Sequence, residues 1–321
     1  MEYVKLGRSG LTVSRIALGC MSFGERNDFH QWTLDEESSQ PFFRQAVELG
    51  ITFWDTANSY GGGTSEEFVG RAIKRYSRRE DVVLATKVWG RMHDGPGGSG
   101  LSRKAILEQL DASLARLGTE YVDLYQVHRF DPETPVEETM EALHDVVKAG
   151  KVRYVGASSM WAWQFAKLQH TADKSHWTRF VSMQNQYNVI RRDDERELLP
   201  LCADQGVGSI PYSPLAKGRL GKPWGARTLR AETDHVARSM ERDNDSALVD
   251  AVEAVAAERG VPMAQIALAW LLTRPVVSAP IVGATKPHHL TDAAAALDLE
   301  LTETETKRLE EPYGEQRRNW Y

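Results

Sequence analysis

The chain has 321 residues, with 39 basic and 45 acidic side chains and a formal net charge of −6. That balance leaves no basic footprint for nucleic acid, and the length is enough to bury a large core without covalent staples. Two cysteines, Cys20 and Cys202, exclude a disulfide framework and point to a reducing compartment. The opening MEYVKLGRSG has no apolar stretch of the secretory kind. The longest apolar run, near residues 264–272, is too short to span a bilayer. The expectation is a cytoplasmic enzyme or binding protein that does not insert in a membrane.

In chain order, residues 4–6 and 11–13, joined by Gly7-Arg8-Ser9-Gly10, predict a β-hairpin placed to plug the floor of a barrel. Short apolar runs then recur, each followed by a helical pattern. The strand at 16–18 precedes a helix at 36–49, 52–54 precedes 66–74, and 82–86 precedes 103–117. Next, 121–125 precedes 136–148, 152–155 precedes 162–169, and 180–183 precedes 193–203. Residues 207–210 lead, after a long insertion, to 247–258, and 280–282 lead to 287–296. A last helix is expected over 302–310, with Thr302 as N-cap and Glu305 completing a capping box.

Strands alternating with helices require a parallel sheet, since parallel neighbours need crossover connections. The runs are apolar on both faces, as a doubly covered sheet demands. Eight units without a Pro/Ser-rich linker predict one domain over 1–321, a closed α/β (β/α)8 TIM barrel with an N-terminal hairpin. A doubly wound open sheet is the architectural rival. Three connections are long, at 89–101, 218–245 and 311–321. The first two follow strands, which puts them on the C-terminal face where barrel enzymes carry their chemistry.

Ionisable residues close three successive strands: Asp55 the second, Lys87 the third and His128 the fourth, with Tyr60 five residues beyond Asp55. An ammonium against a phenol favours the phenolate and lowers a pKa that is ordinarily about 10. A carboxylate beside the lysine orients it, and the tyrosine becomes a general acid. A histidine opposite can donate to a carbonyl oxygen. None of these groups supplies electrons, so the pattern points to hydride from a cofactor.

These residues resemble the catalytic tetrad of the aldo-keto reductases, in the strings Asp55-Thr56-Ala57-Asn58-Ser59-Tyr60-Gly61 and Tyr121-Val122-Asp123-Leu124-Tyr125-Gln126-Val127-His128. Gly118 closes the helix before the second string, and the likeness runs from Leu6-Gly7 to Glu310. His128-Arg129-Phe130-Asp131-Pro132 and Gly156-Ala157-Ser158-Ser159-Met160 are similar to the bacterial and fungal branch of longer reductases, and more distantly to the potassium-channel beta subunits. The resemblance implies NADP(H) as cofactor and an aldehyde or ketone, or the matching alcohol, as substrate. It implies Tyr60 as acid, Lys87 as the group that tunes it, Asp55 as the group that orients Lys87, and His128 as the carbonyl's donor. For the cofactor it implies Gly19, Cys20 and Met21 beside the nicotinamide, Ser158, Ser159 and Gln184 at the carboxamide, and Tyr212 stacked on the ring. Ser213, Leu215, Lys217 and Gly218 would cover the pyrophosphate; Gly283, Thr285, Lys286 and His289 would hold the adenosine phosphate. The chain has Ser159 where the family commonly has Asn, and Asp292-Ala293 where it commonly has Glu-Asn. Pro287 is expected as the first residue of the eighth helix, which sets Thr285 and Lys286 at a helix N-terminus.

Other signals are set aside. Gly95-Pro96-Gly97-Gly98-Ser99-Gly100 fits G-x-G-x-x-G, but six residues part it from the strand, whereas a dinucleotide fingerprint is the turn itself. His288-His289 with the distant His93 has no zinc spacing, and no metal site is expected. Cys20 lacks a partner base and reads as a small buried residue. Trp161 and Trp163 read as packing residues. Trp89, the 91–101 loop, Trp224 and the 313–321 tail are the expected pocket walls, and oligomeric state is open. Two rival functions stay open: a cofactor-binding regulatory protein, and an aldolase using Lys87 as a Schiff base.

Overall fold

The structure, a computed structural model, describes residues 1–26, 31–226, 241–242 and 244–314. Of the expected pocket walls, 315–321 of the tail lie outside the described residues, whereas Trp224 in the long insertion is described and exposed, with Arg219 5.8 Å from its ring centre.

Strands β1 (Tyr3–Lys5) and β2 (Thr12–Ser14) form the antiparallel hairpin, each displaced by one residue from the expected span. Strands β3 (Ala17–Gly19), β4 (Phe53–Asp55), β5 (Val83–Val88), β6 (Val122–Val127), β7 (Val152–Ser158), β8 (Phe180–Gln184) and β9 (Gly208–Ser209) pair in parallel, in chain order. Strand β10 (Ile281–Gly283) pairs with β3. The ring closes on its other side: Ser209 N–H donates to the Val276 carbonyl at 2.9 Å, Ser278 N–H to that of Ser209 at 2.7 Å, and Ile281 N–H to that of Pro211 at 2.9 Å. The sheet is thus a barrel and not a doubly wound sheet.

Helices α1 (Glu36–Glu48), α2 (Thr64–Tyr76), α3 (Arg103–Leu117), α4 (Val136–Lys148), α5 (Ala162–Ser175), α6 (Leu198–Gln205), α7 (Asp245–Arg259), α8 (Met263–Leu272), α9 (His288–Ala295) and α10 (Glu303–Glu310) surround it. The expected capping box of Thr302 and Glu305 opens α10. Helix α8 was foreseen only as an apolar run. It is buried nearly all round, and such a helix has no polar face to give it a period. The helix expected at 193–203 splits into a 3₁₀ turn, Asp193–Glu195, and α6. Glu195 is held there by the Tyr187 hydroxyl at 2.6 Å and by Arg192 at 2.8 and 3.0 Å.

Period two sorts each strand. Leu18, Trp54, Leu84 and Tyr125 face the helices, while Ala17, Phe53, Ala85 and Leu124 fill the lower barrel. The hairpin closes that floor: Leu6 and Val13 are fully buried in the same cluster. Gly7, at φ 57°, makes the contact possible, because a Cβ there would lie 2.4 Å from the Gly206 carbonyl oxygen. With the floor apolar and sealed, polar inward positions are left for the opposite end. Among the described residues, no helix is long and apolar enough to cross a membrane.

Candidate active site

Asp55, Lys87 and Gln126 are the upper inward positions of β4, β5 and β6, where Lys87 lies level with Gln126. Lys87 is fully buried. Its ammonium donates to Asp55 Oδ2 at 2.5 Å, to the Thr56 carbonyl at 2.8 Å and to the Tyr60 hydroxyl at 3.3 Å. All three of its N–H donors are used. Asp55 Oδ1 accepts from Gln126 Nε2 at 2.9 Å and Gln184 Nε2 at 3.0 Å. Gln184 also donates to Gln126 Oε1 at 3.1 Å. Burying an ion pair is costly unless its remaining hydrogen-bonding positions are filled, and here they are.

Burial pulls the Lys87 amine down, but Asp55 and Tyr60 outweigh it, and its pKa ends above the ordinary value. The ammonium therefore persists at neutral pH, and a Schiff-base role, which needs a free amine, is disfavoured. Burial is also the largest influence on Tyr60; Lys87 pulls the phenol down against it and against Asp55, yet the net direction is upward. Lys87 favours the phenolate as expected from the sequence, but desolvation of the buried phenol outweighs it. The consequence is chemical: Tyr60 holds its proton through the neutral range. His128 is pushed well below its usual range by burial, then by Lys87 and Arg129. Its ring is neutral and stands edge-on to Tyr60, with centroids 5.8 Å apart and planes at 79°. The three groups together offer a protonated phenol, a fixed positive charge behind it and a neutral imidazole beside it.

The backbone around this mouth is unusual. Among the described residues six non-glycine positions have positive φ, and five of them follow barrel strands: Trp89, Ser159, Ser213, Ala216 and Lys217. Left-handed backbone at such residues is costly and gathers at functional sites.

The sequence profile of the Aldo/keto reductase family matches residues 15–313. The chain belongs to this family. It is 46% identical to the versiconal hemiacetal acetate reductase of Aspergillus parasiticus, over 98% of this chain and 97% of that relative. It is 42% identical to an aldo-keto reductase of Alternaria alternata, over 98% and 92% of the two chains. An oxidoreductase activity follows from the family, whose members generally use a nicotinamide cofactor and act on small carbonyl compounds.

The residues expected around a cofactor fall into three groups along the rim. Gly19 ends β3, where a Cβ would lie 2.9 Å from Ile281 Cγ2, so the glycine also serves barrel packing. Cys20 is fully buried and its carbonyl accepts from Ser65 at 2.9 Å; Met21 is half-buried. Ser158 and Ser159 are buried with their hydroxyls 3.3 Å apart, and Ser159 shares a hydrogen bond with Tyr212. Since the Gln184 nitrogen already serves Asp55 and Gln126, only its carbonyl oxygen remains for a ligand.

Ser213, Leu215, Lys217 and Gly218 lie on the segment after β9, where φ is 50° at Ser213, 58° at Lys217 and 93° at Gly218. Nothing lies within 4 Å of a Cβ built on Gly218. Gly283 ends β10 and is exposed. Thr285 N–H donates to His289 Nδ1 at 3.2 Å. Burial, with His288 and Lys286, holds the His289 pKa down to about 4, which keeps that nitrogen an acceptor. Helix α9 starts at His288, one residue later than expected, although Pro287 already has helical angles of −54° and −35°.

Four contributors escaped the sequence argument. Gln126 lies two residues from His128, and strand alternation alone places it inward. Lys222 feels Lys286 and Arg219, which with burial lower its pKa; only proximity in the fold could show this. Arg129 stands 5.8 Å from the centre of the Trp89 ring, and its charge acts on His128 and Tyr212. Trp163, read as a packing residue, is 60% exposed with its ring 6.0 Å from that of Phe130. It follows β7 at the open end of the barrel, and no helix among the described residues covers it. The Gly95–Gly100 loop shows Gly95, Gly97 and Gly100 at positive φ.

Proposed function

We propose that this chain is a cytoplasmic NADP(H)-dependent carbonyl reductase, acting as one catalytic unit on an aldehyde or ketone. The observation that carries the proposal is the Lys87 ammonium shared among Asp55, Thr56 and Tyr60. Tyr60 donates its proton to the carbonyl oxygen. Lys87 stabilises the phenolate left behind, and Asp55, braced by Gln126 and Gln184, keeps Lys87 in place. His128, neutral, donates a hydrogen bond to the same oxygen and orients the carbonyl. The reverse reaction, alcohol oxidation, uses the same groups with Tyr60 deprotonated. The aromatic rim of Trp89, Phe130 and Trp163 favours a carbonyl compound carrying a ring.

The residues present fit a dinucleotide phosphate. Burial, then Lys286 and Arg219, lowers the Lys222 pKa between the β9 and β10 connections, with Arg219 itself paired to Glu241 at 2.8 Å and Asp245 at 3.2 Å. An anion beside Lys222 and Lys286 would favour their charged forms. Lys286 with Lys222 would hold the ribose phosphate, and the left-handed segment ending at the open Gly218 would face the pyrophosphate with backbone N–H groups. Tyr212 would cover the nicotinamide, whose reduced form supplies the hydride. His289 fixes Thr285 and carries no charge to the phosphate. The test is consumption of NADPH with 4-nitrobenzaldehyde. Turnover that depends on Tyr60 supports the proposal; cofactor binding without turnover of any carbonyl would favour a regulatory protein, and borohydride trapping of an adduct on Lys87 would favour an aldolase.

A further inference from the structure

Tyr60 opens a turn in which Gly61, Gly62 and Gly63 all have positive φ, at 57°, 67° and 105°. Three glycines in a row carry no side chain to fix the turn, so neighbours must hold it. Thr64 Oγ1 donates to the Gly61 carbonyl at 2.8 Å. Gly63 lies on Arg116 of α3: a Cβ there would be 2.9 Å from Arg116 Cδ and 3.0 Å from Nε. Arg116 Nε donates to Glu66 Oε2 at 2.7 Å. Glu66, in the first turn of α2, is fully buried behind β5. Its other oxygen accepts from Thr86 Oγ1 at 2.5 Å, and Thr86 precedes Lys87.

A continuous path of contacts therefore leaves the Tyr60 turn, passes through Arg116 and Glu66, and returns to the strand at the residue next to Lys87. The bond it spans, Lys87 Nζ to Tyr60 Oη at 3.3 Å, is the longest of the three that Lys87 makes, and so the one most readily lost. Stability alone is a weak reason for such a pair, because apolar residues of similar volume commonly replace a buried ion pair at no loss.

We propose that Glu66 and Arg116 are positioning residues, which set from behind the sheet the separation at which Lys87 meets the Tyr60 hydroxyl. They touch neither substrate nor cofactor and act through the glycine turn and Thr86. The inference rests on Tyr60 being the acid. The other groups that Tyr60 faces are Asp55 on β4, Cys20 after β3, His128 after β6 and Tyr212 after β9. The substitutions below leave all of these unchanged.

Glu66→Gln keeps an acceptor for Thr86 but removes the charge that holds Arg116. A longer Lys87–Tyr60 distance weakens the pull on the phenol. The midpoint of the pH profile for alcohol oxidation should then rise by roughly half to one unit. Reductive turnover should fall by roughly threefold to tenfold, since one unit corresponds to about tenfold. The KM for the carbonyl and the cofactor Kd should hold. Arg116→Lys with Glu66 intact, which keeps the ion pair, should shift both by less than Glu66→Gln does. If Glu66→Gln does not fold, Glu66→Leu with Arg116→Met supplies an apolar pair, to be compared at matched Tm. A restored Tm with a shifted midpoint supports positioning. A restored Tm with wild-type midpoint and turnover would show that the pair is structural only. Absence of any turnover in the wild type would sink the reductase proposal itself, a result distinguishable from an active wild type whose variants keep its pH profile.

Discussion

The two ends of the candidate cofactor groove handle positive charge in opposite ways. At the barrel centre, Lys87 is sealed from solvent and its donors go to Asp55, Thr56 and Tyr60. At the rim, Lys222, Lys286 and Arg219 are close enough to depress the Lys222 amine, after burial. The first charge is complete without a ligand and is built to act on one atom, the Tyr60 hydroxyl. The rim group is only partly matched by carboxylates: Arg219 pairs with Glu241 at 2.8 Å and Asp245 at 3.2 Å, while Lys286 is exposed beside Lys222. The contrast separates two tasks: the centre should set the rate of chemistry, and the rim should set the choice and affinity of cofactor.

The largest effect expected is at the centre. Tyr60→Phe should lower the rate of carbonyl reduction by roughly 10²–10⁴-fold, the usual worth of general acid catalysis, while NADPH binding stays near wild type. Steady-state turnover beside a fluorescence titration would check both halves; a mutant keeping more than about a tenth of wild-type turnover would break the assignment.

At the rim, Lys286→Ala should weaken NADPH binding by roughly tenfold to a hundredfold, since a hydrogen bond to a charged group is worth about 1.5–3 kcal/mol. NADH, which lacks the ribose phosphate, should bind almost as before. Equal losses for both cofactors would remove Lys286 from the phosphate site.

A smaller effect should come from Gln126→Leu, which takes one of two amide donors from Asp55 Oδ1. An unsatisfied buried group costs about 1–3 kcal/mol, so the variant should unfold at lower temperature and lose less than about tenfold in turnover. Unchanged Tm and rate would show that Gln184 alone suffices. The pH profile sharpens the same comparison without mutation. With burial holding the Tyr60 phenol above its usual range, reduction needs the protonated phenol and should stay level through neutral pH, declining only in the alkaline range. Oxidation needs the phenolate and should rise across that range. A decline of the reduction rate centred near pH 7 would contradict the upward direction.

How much of this was legible beforehand follows from the kind of signal each feature leaves. The barrel was legible, because a strand-to-helix alternation repeated eight times is periodic. The four residues at its centre were legible because each closes or follows a strand, and Gln126 was within reach of the same period-two argument. Helix α8 was not, since residues buried on all sides show no polar stripe. The direction of the Tyr60 shift was not, because a neighbour such as Lys87 can be inferred from strand order whereas desolvation depends on everything packed around the phenol. The charge crowding at Lys222 and the Glu66–Arg116 pair join residues far apart in the chain, 64 and 50 positions respectively for Lys222–Lys286 and Glu66–Arg116, and no local pattern announces them. Exposed Trp163 misled in the other direction: an aromatic beside a helix start reads as core until the fold shows it 60% exposed.

The central claim is that chemistry at Tyr60 and cofactor choice at Lys286 are separable. The most direct test crosses the two in one experiment: single-turnover oxidation of bound NADPH by saturating 4-nitrobenzaldehyde, with Kd for NADPH and NADH, in the wild type, Tyr60→Phe and Lys286→Ala. The account predicts a slow single turnover with normal affinities for Tyr60→Phe, and a near-normal single turnover with selectively weakened NADPH for Lys286→Ala once the cofactor is saturating. A wild-type single-turnover rate in Tyr60→Phe, or a slowed one in saturated Lys286→Ala with NADPH affinity intact, would contradict it.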